Sequence, residues 1–460
     1  MKKKIFYATL LAATFLFIAC KEEVLAPEIT GMDTGTAEYT LYIGEKVTLA
    51  PNITNLHGSN HYLWLIDDKE VATGNLDYTF TATKPGTFII TFRAENKGGM
   101  NEKHFKVFVD EPIRIAFAQE KVEVPRCEVI EISPVITGPQ RDDYQYEWAI
   151  GDSILGNKPT LEFISAKPGT YTLTLKAKAD RQTETSSCVV EVKEADYKVF
   201  PPKLMAYRPS VWEGAFWDWC IPEADESFAY PPEEMIQKLN EYLSNQSAFP
   251  KFELDAWGSY IVVGFDHKVV NKKNAYDIQI DINGYAAKEV LFFVAHDSNK
   301  NGKPDEDEWR EIRTNNFNYP QIRDYEITFT YEGYDDFEEE TIFTWKDNQG
   351  QSGKKQTYCG FPGYHLVGGE MVQVNGWGNS FTLKGRRIDK TNVSGMPFTK
   401  KHYLNINDAV TSEGEPANLL GIDFLKIENA GMLYSKEETP PMGSRSEVKI
   451  QSIVDLHLLN

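Results

Sequence analysis

Between Asp297 and Glu308 the chain sets oxygen-bearing side chains at regular offsets, D-x-N-x-N-G-x-x-D-x-x-E. Asp297, Asn299, Asn301 and Asp305 supply side-chain oxygens, Glu308 closes the pattern, and Lys303 contributes its backbone carbonyl. A hard cation takes roughly six to eight oxygens, and short acidic and amide side chains on alternate residues can present them around a sharp glycine bend such as Gly302. The spacing predicts a structural Ca2+ loop. The same Asn and Gly residues also make turns with no metal at all, and that reading stays open here.

The offsets are those of an EF-hand loop, but the flanking elements differ. Val290-Leu291-Phe292-Phe293-Val294 reads as a buried strand, and Glu308-Trp309-Arg310-Glu311-Ile312 alternates like a second one. Pro304 stands where the helical version carries an apolar residue. The loop is therefore expected to tie two strands together.

Large rings beside glycines are the candidate ligand platforms. Trp377 lies between Gly376 and Gly378, Tyr364 follows Gly363, and Trp212 and Trp217 crowd towards Cys220. Exposed rings of this kind stack on the apolar faces of sugars or planar cofactors. Burial in a core is the plain alternative for each. His267, His296 and His365 are further candidates for ligand or metal contacts, set against ordinary satisfied histidines. No H-E-x-x-H, G-x-S-x-G, Walker loop, C-x-x-C or dinucleotide fingerprint is present. Cys359 with His365 suggests a thiol nucleophile, but the surrounding glycines read better as a loop. The chain is not expected to be an enzyme.

A chain of 460 residues with 41% hydrophobic and 13% aromatic content can bury several cores. Its formal charge of −20 repels nucleic acid and anionic membrane surfaces. Neutral or cationic ligands are compatible with it.

In chain order, Met1-Lys2-Lys3-Lys4 is a basic n-region, Ile5–Ile18 an apolar stretch too short to span a bilayer, and Ala19-Cys20 its end. Residues 1–19 are read as a signal peptide and 20–26 as a tether. The remaining cysteines, Cys127, Cys188, Cys220 and Cys359, allow three pairings. Domain logic favours Cys127–Cys188 if either bridge forms, and free buried thiols are equally open. Two stretches repeat: Tyr62-Leu63-Trp64 with Lys84-Pro85-Gly86-Thr87, then Tyr146-Glu147-Trp148 with Lys167-Pro168-Gly169-Thr170. Each turn feeds an alternating strand, as half-buried antiparallel sheet requires. Glu111-Pro112 and Val199-Phe200-Pro201-Pro202 read as linkers. Beyond residue 200, Pro231-Pro232-Glu233-Glu234 opens one helix ending near Leu243, and many short strands point to a larger sandwich of jelly-roll type. The expected fold is all-β: immunoglobulin-like sandwiches over 27–110 and 111–195, then a jelly-roll-like sandwich over 200–460 with a minor helix.

Several resemblances sharpen this outline. Ala19-Cys20 resembles a bacterial lipobox with Phe17 in place of the usual Leu, which implies lipidation of Cys20. Lys21-Glu22-Glu23 resembles the export tag of Bacteroidetes lipoproteins bound for the outer face of the outer membrane. The two repeats resemble divergent PKD domains, adhesion and spacer modules whose signature is reduced here to Trp64-Leu65-Ile66-Asp67-Asp68 and Trp148-Ala149-Ile150-Gly151-Asp152. Trp257–Asp266, Ala275–Ile280, Asp297–Trp309 and Leu404–Ile427 look like blocks of the C-terminal domain of PKD-containing Bacteroidetes surface lipoproteins. Members of that group are often encoded beside TonB-dependent receptors. The resemblance implies capture of a glycan or a corrinoid of the vitamin B12 type as an accessory to such a receptor. It carries no ligand-site residues. A structural or adhesive surface protein is the alternative.

Overall fold

The computed structural model describes residues 24–30, 37–139, 142–179, 182–208, 212–213, 232–254, 257–283, 290–314, 321–357, 359–361, 363–367, 370–373, 376, 378–388, 401–430 and 448–459. In the first repeat, Ala37–Tyr42, Gly99–Asp110, Gly86–Asn96, His61–Ile66 and Lys69–Thr73 form one sheet in that spatial order. Ala37–Tyr42 runs parallel to Phe105–Asp110, whereas the other pairs are antiparallel. Lys46–Leu49 pairs with Tyr78–Thr81, and Leu49 and Phe80 share a core with Trp64, Phe92 and Phe105 from the sheet. This is an immunoglobulin-like sandwich, in which apolar residues alternate inward from both layers.

The second repeat has the same strand order: Lys121–Pro125, Gln182–Lys193, Gly169–Ala179, Gln145–Ile150 and Ser153–Gly156. Its edge strand again runs parallel, Lys121 beside Val189 and Pro125 beside Lys193. Trp64 and Trp148 are fully buried, and both donate the indole N–H to a backbone carbonyl, Asn75 at 3.1 Å and Lys158 at 3.0 Å. Each is followed by a bulge against the next strand. Gly86 and Gly169, at φ +142° and +152°, open the long hairpin strands in a conformation that side chains rarely adopt.

Eight strands after residue 250 pair as Phe252–Leu254, Tyr260–Val270, Ile278–Asn283, Val290–Ala295, Trp309–Ile312, Lys401–Leu404, Gly421–Asn429 and Val448–Asp455. One sheet joins the first, eighth, third and sixth, and the other joins the second, seventh, fourth and fifth. That order is the double Greek key of a jelly roll. Lys203–Arg208 extends the second sheet beside Tyr260–Val270. The core between the sheets gathers Phe252, Ile261, Val263, Ile278, Ile280, Phe292, Leu425 and Ile453. The predicted helix forms over Pro232–Ser244 with acids in its first turn, and Met235, Leu239 and Leu243 at four-residue spacing seat it in that core.

Between the fifth and sixth strands the chain makes a further sheet from Gln321–Asp335, Glu340–Asp347, Ser352–Thr357 and Ser380–Ile388. Its own core contains Tyr325, Phe329, Phe343 and Phe381 around Trp257. Arg386 ties it to the jelly roll through the Glu311 carboxylate, and its backbone N–H donates to Glu428 Oε1 at 3.3 Å.

The favoured Cys127–Cys188 bridge does not form; both thiols are free and buried. The strand register explains why. Val189 donates to the Glu120 carbonyl, so Cys188 lies at one end of the parallel pair, and Cys127 lies two residues beyond its other end at Pro125. At about 3.3 Å per residue the two are roughly 20 Å apart, far more than a disulfide spans. Burial raises the Cys127 thiol to about 12. Cys220 and the Cys359 side chain lie outside the described residues.

The described residues divide into two compact units, one within 1–118, 133–159 and 173–187, the other within 119–132, 160–172 and 188–460. Inside the second unit Cys127 packs with Val270 and Leu458, flanked by Ile164, Ala166, Tyr197 and Val199. The expected linker at Val199–Pro202 is instead woven into this unit. Val199 accepts from the Asp455 N–H at 2.7 Å, Lys198 N donates to Asp266 Oδ2 at 3.1 Å, and Phe200 is part of the jelly-roll core.

Candidate functional site

Strand Val290–Ala295 is central in its sheet, and the chain re-enters beside it with Ala295 opposite Trp309 and Phe293 opposite Glu311. The stretch from His296 to Glu308 is therefore a hairpin loop on two paired strands, as the flanking patterns predict. Its entry is fixed by Asp423, on the neighbouring strand Gly421–Asn429. One oxygen of Asp423 faces the Lys268 amine at 2.5 Å, the His296 Nδ1 at 2.9 Å and the Asp297 N–H at 2.8 Å. Burial alone would raise this carboxyl, but the His296 hydrogen bond, the Lys268 charge and the Asp297 N–H outweigh it and hold it below the usual range.

Within the loop, Asp297 accepts from the N–H groups of Asn301 at 3.0 Å and Gly302 at 2.8 Å through its two oxygens. Asn299 Oδ1 also accepts from Asn301 N at 3.0 Å, and Asn301 Oδ1 from Lys303 N at 2.8 Å. The amide nitrogens of Asn299 and Asn301 both donate to Asp305 Oδ2, at 2.7 and 2.8 Å. Lys300 and Gly302 take left-handed φ of +58° and +75°, which sharpen the bend.

Glu308 is 7% exposed and clamps the loop ends together. Its Oε1 accepts from the Ser298 N–H and hydroxyl, both at 2.7 Å, and its Oε2 from Asp305 N at 3.1 Å. Burial raises this group, the donations from Ser298 and Asp305 lower it, and the net shift is downward. Among the described residues no group of three or more His, Cys, Asp or Glu side chains is gathered to hold a metal. The donor set nonetheless suits a hard cation in kind. Asn299, Asn301 and Asp305 converge, and each amide carries an oxygen on the same planar group as the nitrogen it now turns to Asp305.

Tyr364 is not a free-standing ring: it stacks on Tyr331 at 3.9 Å, meets Phe361 edge-on and hydrogen-bonds Asn379. Trp217, Trp377 and Cys20 lie outside the described residues. So does the side chain of Trp212, whose backbone pairs with Gly360. The His365 side chain is likewise outside them, while His296 is satisfied at Asp423.

His267 is buried between two carboxylates, Asp266 Oδ1 at Nδ1 and Asp455 Oδ2 at Nε2, both at 2.8 Å. A second buried acid, Asp277, accepts from Lys272 N at 3.0 Å and Ile406 N at 2.7 Å, and faces His457 Nε2 at 2.7 Å. Sequence reasoning missed Asp277, Asp423 and Asp455. The available signal was an acid within or beside a strongly apolar strand, as in Gly421-Ile422-Asp423-Phe424-Leu425, where burial demands partners.

Residues 26–96 match the sequence profile of the PKD-like domain. A search of curated proteins returns no match. Among solved structures, the first two immunoglobulin domains of DIP-gamma align at 15% identity, covering 37% of this chain and 98% of theirs, with a TM-score of 0.26. A three-immunoglobulin fragment of titin aligns at 14% identity over 72% of this chain and 97% of its own, with a TM-score of 0.29. Fibronectin(III)-like modules of Clostridium thermocellum CbhA align at 14% identity over 37% and 95%, with a TM-score of 0.20. The immunoglobulin-like assignment rests on the chain's own strand order, to which such loose superpositions add nothing. The chain is a protein containing PKD-like and immunoglobulin-like β-sandwiches followed by a jelly roll.

Proposed function

We propose that the chain is a lipid-anchored outer-membrane protein, displayed at the cell surface, that captures an extracellular glycan for a TonB-dependent uptake system. The immunoglobulin-like repeats space the jelly roll from the membrane, and the jelly roll binds. What supports the reading is where the long ordered connections fall. In the first repeat the two longest strands, Gly86–Asn96 and Gly99–Asp110, are joined by a tight turn, whereas the jelly roll carries both the His296–Glu308 loop and the inserted sheet. Long ordered loops on a rigid scaffold are where binding sites are built. In this reading Ca2+ is held by Asp297, Asn299, Asn301, Asp305, Glu308 and the Lys303 carbonyl, and neutralises the crowded acids so that the hairpin keeps its register.

The test is binding of the full chain to a glycan array, with cyanocobalamin titrated in parallel. Glycan binding supports the proposal, and cobalamin binding alone transfers it to a corrinoid. Binding to cells or proteins with neither ligand recognised favours the adhesive alternative. Anchoring is tested separately. Cys20→Ala should release the protein from membranes, and alanines at Lys21-Glu22-Glu23 should leave it lipidated but shielded from added protease. Unchanged protease access in the triple variant counts against surface export.

A further inference from the structure

On the outer face of the sheet that joins Val448–Asp455, Ile278–Asn283 and Lys401–Leu404, two tyrosines are set side by side in solvent. Tyr276 is 58% and Tyr403 46% exposed, and their ring centroids are 5.4 Å apart with a tilt of 39°. Large rings normally gain more by burial than by such a position, so a paired, exposed arrangement asks for a reason.

The backbone beneath the pair is unusually well fixed. Asp277, next to Tyr276, donates its N–H to the carbonyl of Leu404, next to Tyr403, at 2.8 Å. The Asp277 carboxylate is fully buried and takes the three contacts from Lys272, Ile406 and His457. The two rings therefore stand on a preorganised base, and a ligand that stacks on them does not have to order it.

The neighbouring rows of the sheet define the chemistry. Tyr403 lies beside Gln279, which lies beside Val454; two residues on, Lys401 lies beside Asp281, which lies beside Ser452. Gln279 Nε2 donates to Asp281 Oδ1 at 3.0 Å, and Lys401 is 3.8 Å from Asp281. The patch offers amide, carboxylate, ammonium and hydroxyl groups around two apolar ring faces. Within these rows the charges of Asp281 and Lys401 cancel, on a chain whose net charge is −20. Anionic ligands are repelled by that overall charge, and a locally neutral patch gives a cation no advantage. A neutral polyhydroxylated ligand fits both parts, with C–H faces on the rings and hydroxyls on the polar rows.

We propose that Tyr276 and Tyr403 form the stacking platform for a neutral carbohydrate chain, with Gln279, Asp281 and Lys401 as its hydrogen-bonding rim. This rests on the glycan reading above and gives it a location. The experiment is calorimetric titration of the full chain with the neutral oligosaccharides that bind best on an array, with uronic-acid oligomers for comparison. Tyr276→Ala and Tyr403→Ala should each weaken neutral-glycan binding by roughly tenfold. Tyr403→Phe, which keeps the ring, should bind nearly as wild type. Phe337→Ala, removing a ring that is 90% exposed on the inserted sheet, should change nothing. Undiminished glycan binding by the Tyr276→Ala/Tyr403→Ala double variant would overturn the platform while leaving glycan capture standing. If the wild-type chain binds only the acidic oligomers, the platform falls while glycan capture stands; if it binds no array sugar, or only cyanocobalamin, the platform falls together with the reading beneath it.

Discussion

Asp423 shows how a single carboxylate can set a loop's starting point, since one of its oxygens gathers Lys268, His296 and the Asp297 N–H. Asp423 and Glu308 are both held below the ordinary carboxylate range when folded. A depressed folded value means that the unfolded chain takes up its proton first as pH falls. The stability these groups add is therefore complete above the unfolded range, roughly pH 4, and is lost as pH drops through their lower folded values. Asp423→Asn should destabilise the protein at neutral pH, and the gap from wild type should close in acid. Urea midpoints measured from pH 7 to pH 3 check this, and a gap that stays constant with pH refutes it. The sequence displays some of these residues and conceals others for a physical reason. Trp64 and Trp148 are legible because a repeated ring in a repeated context needs only comparison along the chain. The Cys127–Cys188 pairing was not, because which residues face one another depends on a parallel register between strands far apart in sequence. Asp277, Asp423 and Asp455 are partnered across 126 to 188 residues, a distance that no local pattern reports.

The Asp297–Glu308 loop was legible as an element, since two apolar strands and an Asn/Gly turn form a local hairpin whose register the alternation fixes. Whether it takes a cation depends on how the amides of Asn299 and Asn301 turn, which spacing does not specify. If Ca2+ binds the folded loop alone, it stabilises by about 2.7 kcal/mol at a hundred times its Kd. Adding calcium to chelator-treated protein should then raise the melting temperature of the transition that includes the jelly roll. Asp297→Ala and Glu308→Ala remove backbone clamps, so both should melt lower even in chelator; the informative quantity is the calcium increment, which should vanish in each. Asp307→Ala, exposed and off the coordinating pattern, should retain it. Identical calorimetric traces with calcium and with chelator in the wild type would reduce the loop to a self-satisfied turn. The jelly-roll order was less accessible at this scale. Its strands were visible singly, but joining the first strand to the eighth spans almost the whole domain, and the inserted sheet separates the fifth strand from the sixth.

At the scale of the molecule, prolines mislead at Val199–Pro202, because a stiff extended segment has the same composition whether it is solvated or packed. Here it is packed. Phe200 is 4% exposed, Val199 pairs with Asp455, and Tyr197 lies 5.0 Å from the buried His267 ring. Arg126 Nε donates to the Ala195 carbonyl at 2.9 Å, and Lys268 N to the Cys127 carbonyl at 3.3 Å, so the strands around 121–132 share this unit with the jelly roll. Protease needs several consecutive residues to leave their hydrogen bonds, and that opening is costly wherever backbone and side chains are both engaged. Limited proteolysis of the full chain should therefore spare 196–202. A fragment ending at residue 195 should expose Cys127, Ile164 and Ala166, and bind a hydrophobic dye that the full chain does not. The control is the exposed Glu111, beside the partly exposed Pro112, where cleavage should be faster. Rapid cutting within 196–202, together with a 27–195 fragment that melts cooperatively and binds no dye, would restore an independent second repeat. Retained protection would mean that any ligand held by the jelly roll also stabilises strands about 150 residues before its binding face, by the linkage between binding and unfolding.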